Sequence, residues 1–308
     1  MKRTNVYFWM LIGFYGSFCF GQELEPFELT DAWTAKITAM APSKTTVPAT
    51  KNRNILIFSL HTGYEHWTIP HTETVMRTVA EKSGAFKVSS SNKITAFEAE
   101  NLAKFDAVIL NNNCSERDKR DLFWDIIKKD SSLTETQQLK KAQQFQQNLL
   151  DYVTTGGGLF VLHGGITMLN KSEAFGKMVG GSFDYHPVQQ KVTVKTVDAE
   201  HPLTKAFKGI DFEHVDEPYF FNNAYFNTDF HPLLYMEADA ITEKKEGTST
   251  DNICYVSWVK RYGQGRVFYA SPSHNPQSYE HEGMLQFLLD GLQYVCGDLV
   301  CDDTPLKN

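Results

Sequence analysis

Histidine and acidic residues gather where short apolar runs of this sequence end. The run 159–162 is followed by His163, the run 54–60 by His61, and the run 266–271 by His274 after two further residues. Because the carboxyl ends of parallel strands meet at one edge of a sheet, we expect these side chains to lie close together. Histidine beside a carboxylate, such as Glu217, is a usual pairing for general acid–base catalysis near neutral pH.

The candidates for catalysis are histidines at strand ends or in glycine-rich loops, together with one glutamate. We expect His163 and Glu217 to act as acid and base, and His186 and His274 to orient or polarise the substrate. The predicted substrate-binding residues around them are His61, His66, Trp67, Asp184, Tyr185, Tyr219 and Asn275. The histidines left out of this site are His71, His201, His214, His231 and His281, of which the two that precede prolines are expected in turns.

Three histidines and one glutamate are also enough ligands for a divalent metal ion. The ligands would be His163, His186, Glu217 and His274, and the ion would polarise a substrate carbonyl or lower the pKa of a bound water. The sequence lacks the helical His-x-x-x-His pair that often marks such a site. We therefore expect no cofactor and a metal-free site, with a divalent metal as the open alternative.

Alternating strands and helices are predicted to position these residues. Strands are predicted at 54–60, 86–88, 105–110, 159–162, 188–197, 232–237, 255–259 and 266–271, and helices at 70–84, 99–104, 134–153, 173–179 and 282–295. Apolar runs without alternation are typical of strands covered on both faces, so we expect an α/β protein with a parallel sheet and right-handed crossovers. The last two strands should form a hairpin around 262–265, and 115–133 a polar excursion near the mouth of the sheet.

Size and charge restrict the class of protein. A chain of 308 residues with 13% aromatic residues can bury a substantial core, and we expect one large domain. At that aromatic content, any one ring of the predicted site could equally belong to the core. The formal net charge is −7 and the basic residues are scattered, so no nucleic-acid partner is expected. Self-association into a homo-oligomer stays open.

The first residues have the pattern of a secretory signal peptide. Lys2 and Arg3 precede an apolar run over 6–20, and Gly21 precedes the expected cleavage. This run is shorter than the roughly 20 residues that a spanning helix needs, so we expect a secreted or periplasmic protein without a stable transmembrane segment after cleavage. A lipoprotein acylated at Cys19 is the alternative, which Phe18 disfavours because a small residue usually precedes the lipidated cysteine.

The domain organisation predicted from these patterns is a signal peptide at 1–21, a linker or N-terminal arm at 22–52, an α/β domain at 53–297 and a C-terminal tail at 298–308. The cysteines after the leader, Cys114, Cys254, Cys296 and Cys301, are expected to be structural or simply buried. In an exported protein, Cys296 and Cys301 are close enough in sequence to form a disulfide.

An ordered set of short motifs resembles the trehalose-utilisation (ThuA-like) family. The motifs are Leu162-His163-Gly164-Gly165, Gly180-Gly181-Ser182-Phe183 with His186-Pro187, Asp198 with His201-Pro202-Leu203, Asp216-Glu217-Pro218-Tyr219, Tyr262-Gly263-Gln264-Gly265-Arg266-Val267-Phe268-Tyr269, and Ser273-His274. The resemblance covers about 53–297. It implies a class I glutamine-amidotransferase-like fold, which is a flavodoxin-like three-layer sandwich with a mostly parallel central sheet, here with an added β-hairpin. It also implies the breakdown of disaccharides and oxidised keto-sugars, so a small carbohydrate is the expected partner.

The same resemblance argues against one reaction. Glutamine amidotransferases of this architecture place a nucleophilic cysteine on the turn after the central strand, where this chain has His163. An enzyme of this kind would therefore be a carbohydrate-active isomerase, lyase or hydrolase that acts on a sugar or 3-keto-sugar by acid–base chemistry, and not a glutaminase. The alternative is a non-catalytic carbohydrate-binding or scaffold protein that kept the fold after losing the cysteine.

Overall fold

The computed structural model describes residues 24–248 and 252–306, so the predicted signal peptide at 1–21 lies outside the described residues. The α-helices in the described ranges are α1 (Asp31–Met40), α2 (Ile69–Lys82), α3 (Ala99–Leu102), α4 (Leu122–Ile127), α5 (Glu135–Thr154), α6 (Glu173–Val179) and α7 (Glu282–Val295). The strands are β1 (Arg53–Phe58), β2 (Phe86–Ser91), β3 (Ala107–Asn111), β4 (Gly158–Leu162), β5 (Ser182–Tyr185), β6 (Gln190–Thr196), β7 (Phe212–Asp216), β8 (Phe220–Asn222), β9 (His231–Glu237), β10 (Ile253–Tyr262) and β11 (Gly265–Ala270).

A large mixed sheet forms the centre of the fold, with the strand order β2-β1-β3-β4-β11-β10-β9-β6-β7. The five strands from β2 to β11 pair in parallel. The strands from β10 to β7 extend this sheet with antiparallel pairs. Strands β5 and β8 form a separate antiparallel pair. The predicted α/β class is confirmed, and β10 and β11 form the predicted hairpin, in which Tyr262 pairs with Gly265.

The central strands are buried on both faces, as their unbroken apolar runs predicted. Every residue of β3 and β4 is buried. Helix α7 packs against α2 as well as against β4 and β11, whereas α5 contacts α4 and α6. Gly291 permits the close approach of α7, because a β-carbon there would lie 2.7 Å from Phe160 and 2.9 Å from Phe268.

Some short elements were not predicted. Residues 22–52, expected to be a linker or arm, include α1, whose buried residues are only Trp33 and Ile37. The polar excursion 115–133 includes α4, and the loop 180–187 includes β5. They were not predicted because each is too short to show a clear periodicity in the sequence. Their stability comes from tertiary packing.

Among the described residues the four cysteines are unpaired: Cys114 and Cys254 are buried, and Cys296 and Cys301 are not joined in a disulfide. No helix of the described part of the chain has both the length and the apolar content needed to cross a membrane.

Candidate functional site

The turn after β4 holds His163 in an unusual backbone conformation. His163 begins a short 3-10 helix and has a φ of 40°, in the left-handed region that a residue with a β-carbon rarely adopts. Such a conformation costs on the order of 1–3 kcal/mol and is found most often at functional sites. The next residue, Gly164, donates its N–H to Asn112 Oδ1 at 3.1 Å. A β-carbon on Gly164 would lie only 2.7 Å from His66 Cε1, so glycine lets the turn lie against that histidine.

Glu217 lies at the centre of a group of histidines. Its Oε2 atom is 3.2 Å from His163 Nε2, 3.2 Å from His274 Nδ1 and 3.7 Å from His186 Nε2. His163 Nε2 and His274 Nδ1 are themselves 3.3 Å apart. The four residues predicted to be catalytic therefore lie together, on turns and loops that follow different strands. We call Glu217 and these three histidines the Glu217 centre.

The backbone fixes the protonation of one of these histidines. His163 Nδ1 lies 2.7 Å from the carbonyl oxygen of Ser271, which can only accept a hydrogen bond. Nδ1 therefore carries a proton, and in the neutral ring Nε2 presents its lone pair toward Glu217. Tyr219 covers the ring of His163 at a centroid distance of 4.1 Å. The imidazole is thus held in one orientation and one tautomer.

A second buried carboxylate, Asp216, positions the backbone on which Glu217 and His274 lie. Its oxygens accept the backbone N–H groups of Glu217 at 2.8 Å, Ser273 at 2.8 Å and His274 at 3.1 Å. Oδ2 also lies 3.1 Å from His214 Nδ1. Burial alone would raise the pKa of Asp216, but the charge and hydrogen bond of His214 hold it below its usual range.

His214 was left out of the predicted site, and Asp216 was assigned neither catalysis nor substrate binding. Both could have been suspected from position. Asp216 directly precedes Glu217, and His214 lies two residues before Asp216 on the same face of β7.

Burial and charge together decide the ionisation of the centre. Burial would raise the pKa of Glu217, but the hydrogen bonds and charges of His163 and His274 bring it well below its usual range. Burial lowers the pKa of His66 well below its usual value, and the neighbouring His163 and His274 lower it further. Glu217 is therefore an anion near neutral pH, whereas His66 is a neutral imidazole.

Two of the predicted substrate-binding residues, His66 and Tyr219, lie at the centre, and a third, Asn275, directly follows His274. His66 is buried with its ring 5.3 Å from that of His163 and 5.1 Å from that of His274. Tyr219 lies on His163, as described above. Asn275 is buried and donates from Nδ2 to Val215 O at 2.8 Å.

The other predicted substrate-binding residues lie elsewhere. Trp67 packs against Phe27 and His71, near α1, with ring centroids 5.6 and 5.3 Å apart. His61 is partly exposed and lies 3.6 Å from Glu65. Asp184 and Tyr185 line a separate cavity of about 270 Å³ between β5, β8 and the start of β10. The structure therefore brings the histidines together more closely than the predicted aromatic residues.

Cys114 lies beside the centre, in contact with His66. Its Sγ atom lies 3.7 Å from His66 Nδ1 and 3.7 Å from the carbonyl oxygen of Gly164. Burial raises the pKa of the Cys114 thiol to about 11. A thiol with that pKa is uncharged near neutral pH, so Cys114 is not activated as a nucleophile.

The comparisons with known proteins agree with this fold. The family described as "Trehalose utilisation" (ThuA) matches residues 54–295. A ThuA-like protein of Parabacteroides merdae is 15% identical with a TM-score of 0.58, over 82% of this chain and 98% of that one. A ThuA-like protein of Bacteroides uniformis is 17% identical with a TM-score of 0.59, over 83% of this chain and 95% of that one. No protein with a curated description matches the chain significantly.

Proposed function

Because the chain belongs to the trehalose-utilisation (ThuA) family, we propose that it is an exported enzyme that acts on a sugar or 3-keto-sugar derivative. The reaction removes a proton from the carbon next to the carbonyl, and the electron pair moves onto the carbonyl oxygen. Return of the proton to the former carbonyl carbon, while the hydroxyl proton of the first carbon moves to the former carbonyl oxygen, gives isomerisation. Departure of a substituent from the next carbon, with its bonding electrons, gives elimination.

The observation that carries this proposal is the close approach of three imidazole nitrogens to one buried carboxylate. The two distances of 3.2 Å, from His163 and His274, are within hydrogen-bond range, and the 3.7 Å from His186 is an ion-pair distance. Proton transfer next to a carbonyl needs a base for the carbon and a positive group for the developing negative charge on oxygen. The Glu217 centre has groups suited to both tasks.

We assign the proton transfer to His186, because its side chain is 36% exposed whereas that of His163 is fully buried. His186 can therefore reach a substrate and exchange protons with water. The buried part of the centre would supply the positive charge. The sequence suggested instead that His163 and Glu217 transfer the proton as acid and base. A His186→Asn variant distinguishes these two assignments.

Aromatic rings beside His186 support a sugar as the substrate. The partly exposed ring of Phe183 lies 6.0 Å from that of His186, and the buried ring of Tyr219 is stacked behind His186 at a centroid distance of 5.6 Å. Rings of this kind pack against the C–H face of a sugar while histidine and carboxylate groups bind its hydroxyls.

The test is incubation of the purified protein in D₂O with glucosides and with their 3-keto forms. NMR and mass spectrometry should find deuterium at the carbon next to the carbonyl, and a converted product. His186→Asn should slow the exchange by about 100-fold or more, since general acid–base catalysis contributes on the order of 10²–10⁴ in rate. Full activity in His186→Asn would return proton transfer to His163 and Glu217. Saccharide binding without exchange or product, in the wild type, would instead make the protein a binding protein.

A further inference from the structure

We propose that His66, His163, Glu217 and His274 bind one divalent transition-metal ion. All four residues are buried, and the ligand atoms they offer lie within 4.8 Å of one another. The site shares its residues with the proposed function and would supply that reaction's positive charge. Metal binding can nevertheless be measured without any substrate. The ligand set suggested by the sequence differs by one member, since His66 takes the place of His186.

The spacing of three of these atoms matches the coordination sphere of a metal ion. His163 Nε2, His274 Nδ1 and Glu217 Oε2 form a nearly equilateral triangle with sides of 3.2, 3.2 and 3.3 Å. Ligands about 2.1 Å from one tetrahedral or octahedral ion are about 3.0–3.4 Å from each other. Two histidines and one carboxylate on one face are a common arrangement for zinc and for non-haem iron.

Without a positively charged imidazole, protons satisfy this triangle poorly. His163 Nδ1 already donates to Ser271 O, so in the neutral ring Nε2 is an acceptor, and Glu217 is an anion that only accepts. A proton on His274 Nδ1 can form a good hydrogen bond with either His163 Nε2 or Glu217 Oε2. The contact between His163 and Glu217 is then left without a hydrogen. One cation between the three atoms interacts favourably with all of them at once.

The charge of Glu217 also calls for a cation. Within the described residues, the ion-pair partners of Glu217 are His163, His186 and His274, with no lysine or arginine among them. The neighbouring Asp216, in contrast, is stabilised by three backbone N–H groups and His214. A buried carboxylate needs a paired charge, because the desolvation of an unpaired ion is strongly unfavourable.

The donor atoms restrict which ion would bind. Neutral imidazoles suit zinc, iron, nickel and copper, whereas magnesium and calcium prefer sites made of oxygen atoms. His163 is fixed by a backbone carbonyl, which is one of the usual second contacts of a metal-binding histidine. A bound ion would polarise the substrate carbonyl, while His186 stays outside the ligand set and is available for proton transfer.

The test uses the full-length protein purified without a histidine tag. Its metal content is measured by elemental analysis, and chelator-treated protein is titrated with Zn²⁺ and with Co²⁺ by calorimetry and visible absorption. We expect one tightly bound ion per chain. Glu217→Gln and His274→Asn should weaken Co²⁺ binding by about 100-fold or more, because each removes a ligand, whereas His186→Asn should retain one ion per chain.

Circular dichroism and thermal unfolding of each variant establish that it is folded. His66→Asn serves as a further ligand variant if Glu217→Gln does not fold. Folded wild-type protein that binds Co²⁺ no more tightly than these ligand variants would overturn the metal site. Stoichiometric metal without any turnover would contradict the proposed reaction but not the metal site. Turnover by protein shown to be metal-free would contradict the metal site but not the proposed reaction.

Discussion

Asp216 shows how one buried side chain can organise a site without contacting a substrate. Its two oxygens accept N–H groups from the chain on both sides of the Glu217 centre, namely those of Glu217 and of Ser273 and His274. The carboxylate therefore holds the end of β7 against the loop that follows β11. Because these two segments carry Glu217 and His274, their relative position depends on Asp216.

Asp216→Asn should lower the free energy of unfolding by about 2–4 kcal/mol, since an amide N–H₂ would face backbone donors in a buried site. Urea unfolding monitored by fluorescence measures the loss. Asp211→Asn, at an exposed position close to the start of β7, is the matched control and should change stability by less than about 0.5 kcal/mol. Equal stability of the two variants would contradict the organising role of Asp216.

Asp290 in α7 is buried, and its ionisation makes the free energy of unfolding depend on pH. Burial raises its pKa from 3.8 to about 6, although hydrogen bonds from Thr46 and Gln286 oppose the shift. Because the folded state binds this proton more tightly than the unfolded state, the stabilisation is complete below about pH 4 and is lost as the pH rises through about 6.

Asp290→Asn should therefore be more stable than the wild type at pH 8, by about 1–3 kcal/mol, and should gain nothing at pH 4. The asparagine Oδ1 can still accept from Thr46 and Gln286, so the hydrogen bonds are retained. Chemical denaturation at the two pH values tests this. A gain that is the same at pH 4 and pH 8 would show that the charge of Asp290 is not its source.

At the scale of single elements, the turn after β4 combines a strained histidine with a glycine that has no room for a side chain. A β-carbon on Gly164 would meet His66 Cε1 at 2.7 Å and Cys114 Sγ at 3.0 Å. Gly164→Ala should therefore displace His66, reduce stability by about 1–3 kcal/mol and weaken metal binding. Thermal unfolding and Co²⁺ titration measure the two effects.

Gly181→Ala is the control for the glycine variant, because its new β-carbon would meet Tyr225 Cβ at 3.1 Å and no atom of the centre. We expect this control to retain metal binding whatever its effect on stability. Gly164→Ala that binds Co²⁺ like the wild type would show that the turn does not set the position of His66.

The sequence predicted elements well where their signal is local. Helix α7 begins and ends at the predicted residues, and the hairpin of β10 and β11 follows from its glycine turn. Helix α1 was missed because only two of its residues face the core. Its stability comes from packing against α2, which local periodicity does not reveal.

The position of two candidate histidines could be predicted because it follows from the ends of predicted strands. His163 and His274 lie just beyond buried strands, so the topology alone brings them to one edge of the sheet. Trp67 follows an irregular segment, where neither the direction of the side chain nor its partner has a periodic signal. The tautomer of His163 and the support of Asp216 depend on contacts with residues more than fifty positions away, which no short motif contains.

At the scale of the whole molecule, the Glu217 centre lies where the two halves of the sheet meet. His163 follows β4 and His274 follows β11, which are neighbouring parallel strands. Glu217 directly follows β7, the last strand of the antiparallel half, and the end of β7 lies against the loop after β11 because Asp216 accepts N–H groups of Ser273 and His274. Residues from both halves are therefore needed for one site, so we expect the site to form only when the whole sheet has folded.

The N-terminal arm, 22–52, contacts the C-terminal helix α7 and the residues just before it. Trp33 Nε1 donates to Glu280 at 2.9 Å, and the backbone N–H groups of Thr46 and Val47 donate to Gln293 Oε1. Trp33 also packs against Phe27 and His71. These contacts fix the arm against α2 and α7, and none of them involves His66, His163, Glu217 or His274.

Trp33→Ala should therefore loosen the arm and lower stability by about 3–5 kcal/mol, since it removes a buried aromatic ring. Trp33→Phe keeps a ring but loses the hydrogen bond to Glu280, so it should cost only about 1 kcal/mol. Hydrogen exchange followed by mass spectrometry should show faster exchange within 30–50 in the alanine variant, while Co²⁺ binding stays at the wild-type level. Unchanged exchange over 30–50 in Trp33→Ala would mean that the contacts of Thr46 and Val47 with Gln293 hold the arm without Trp33.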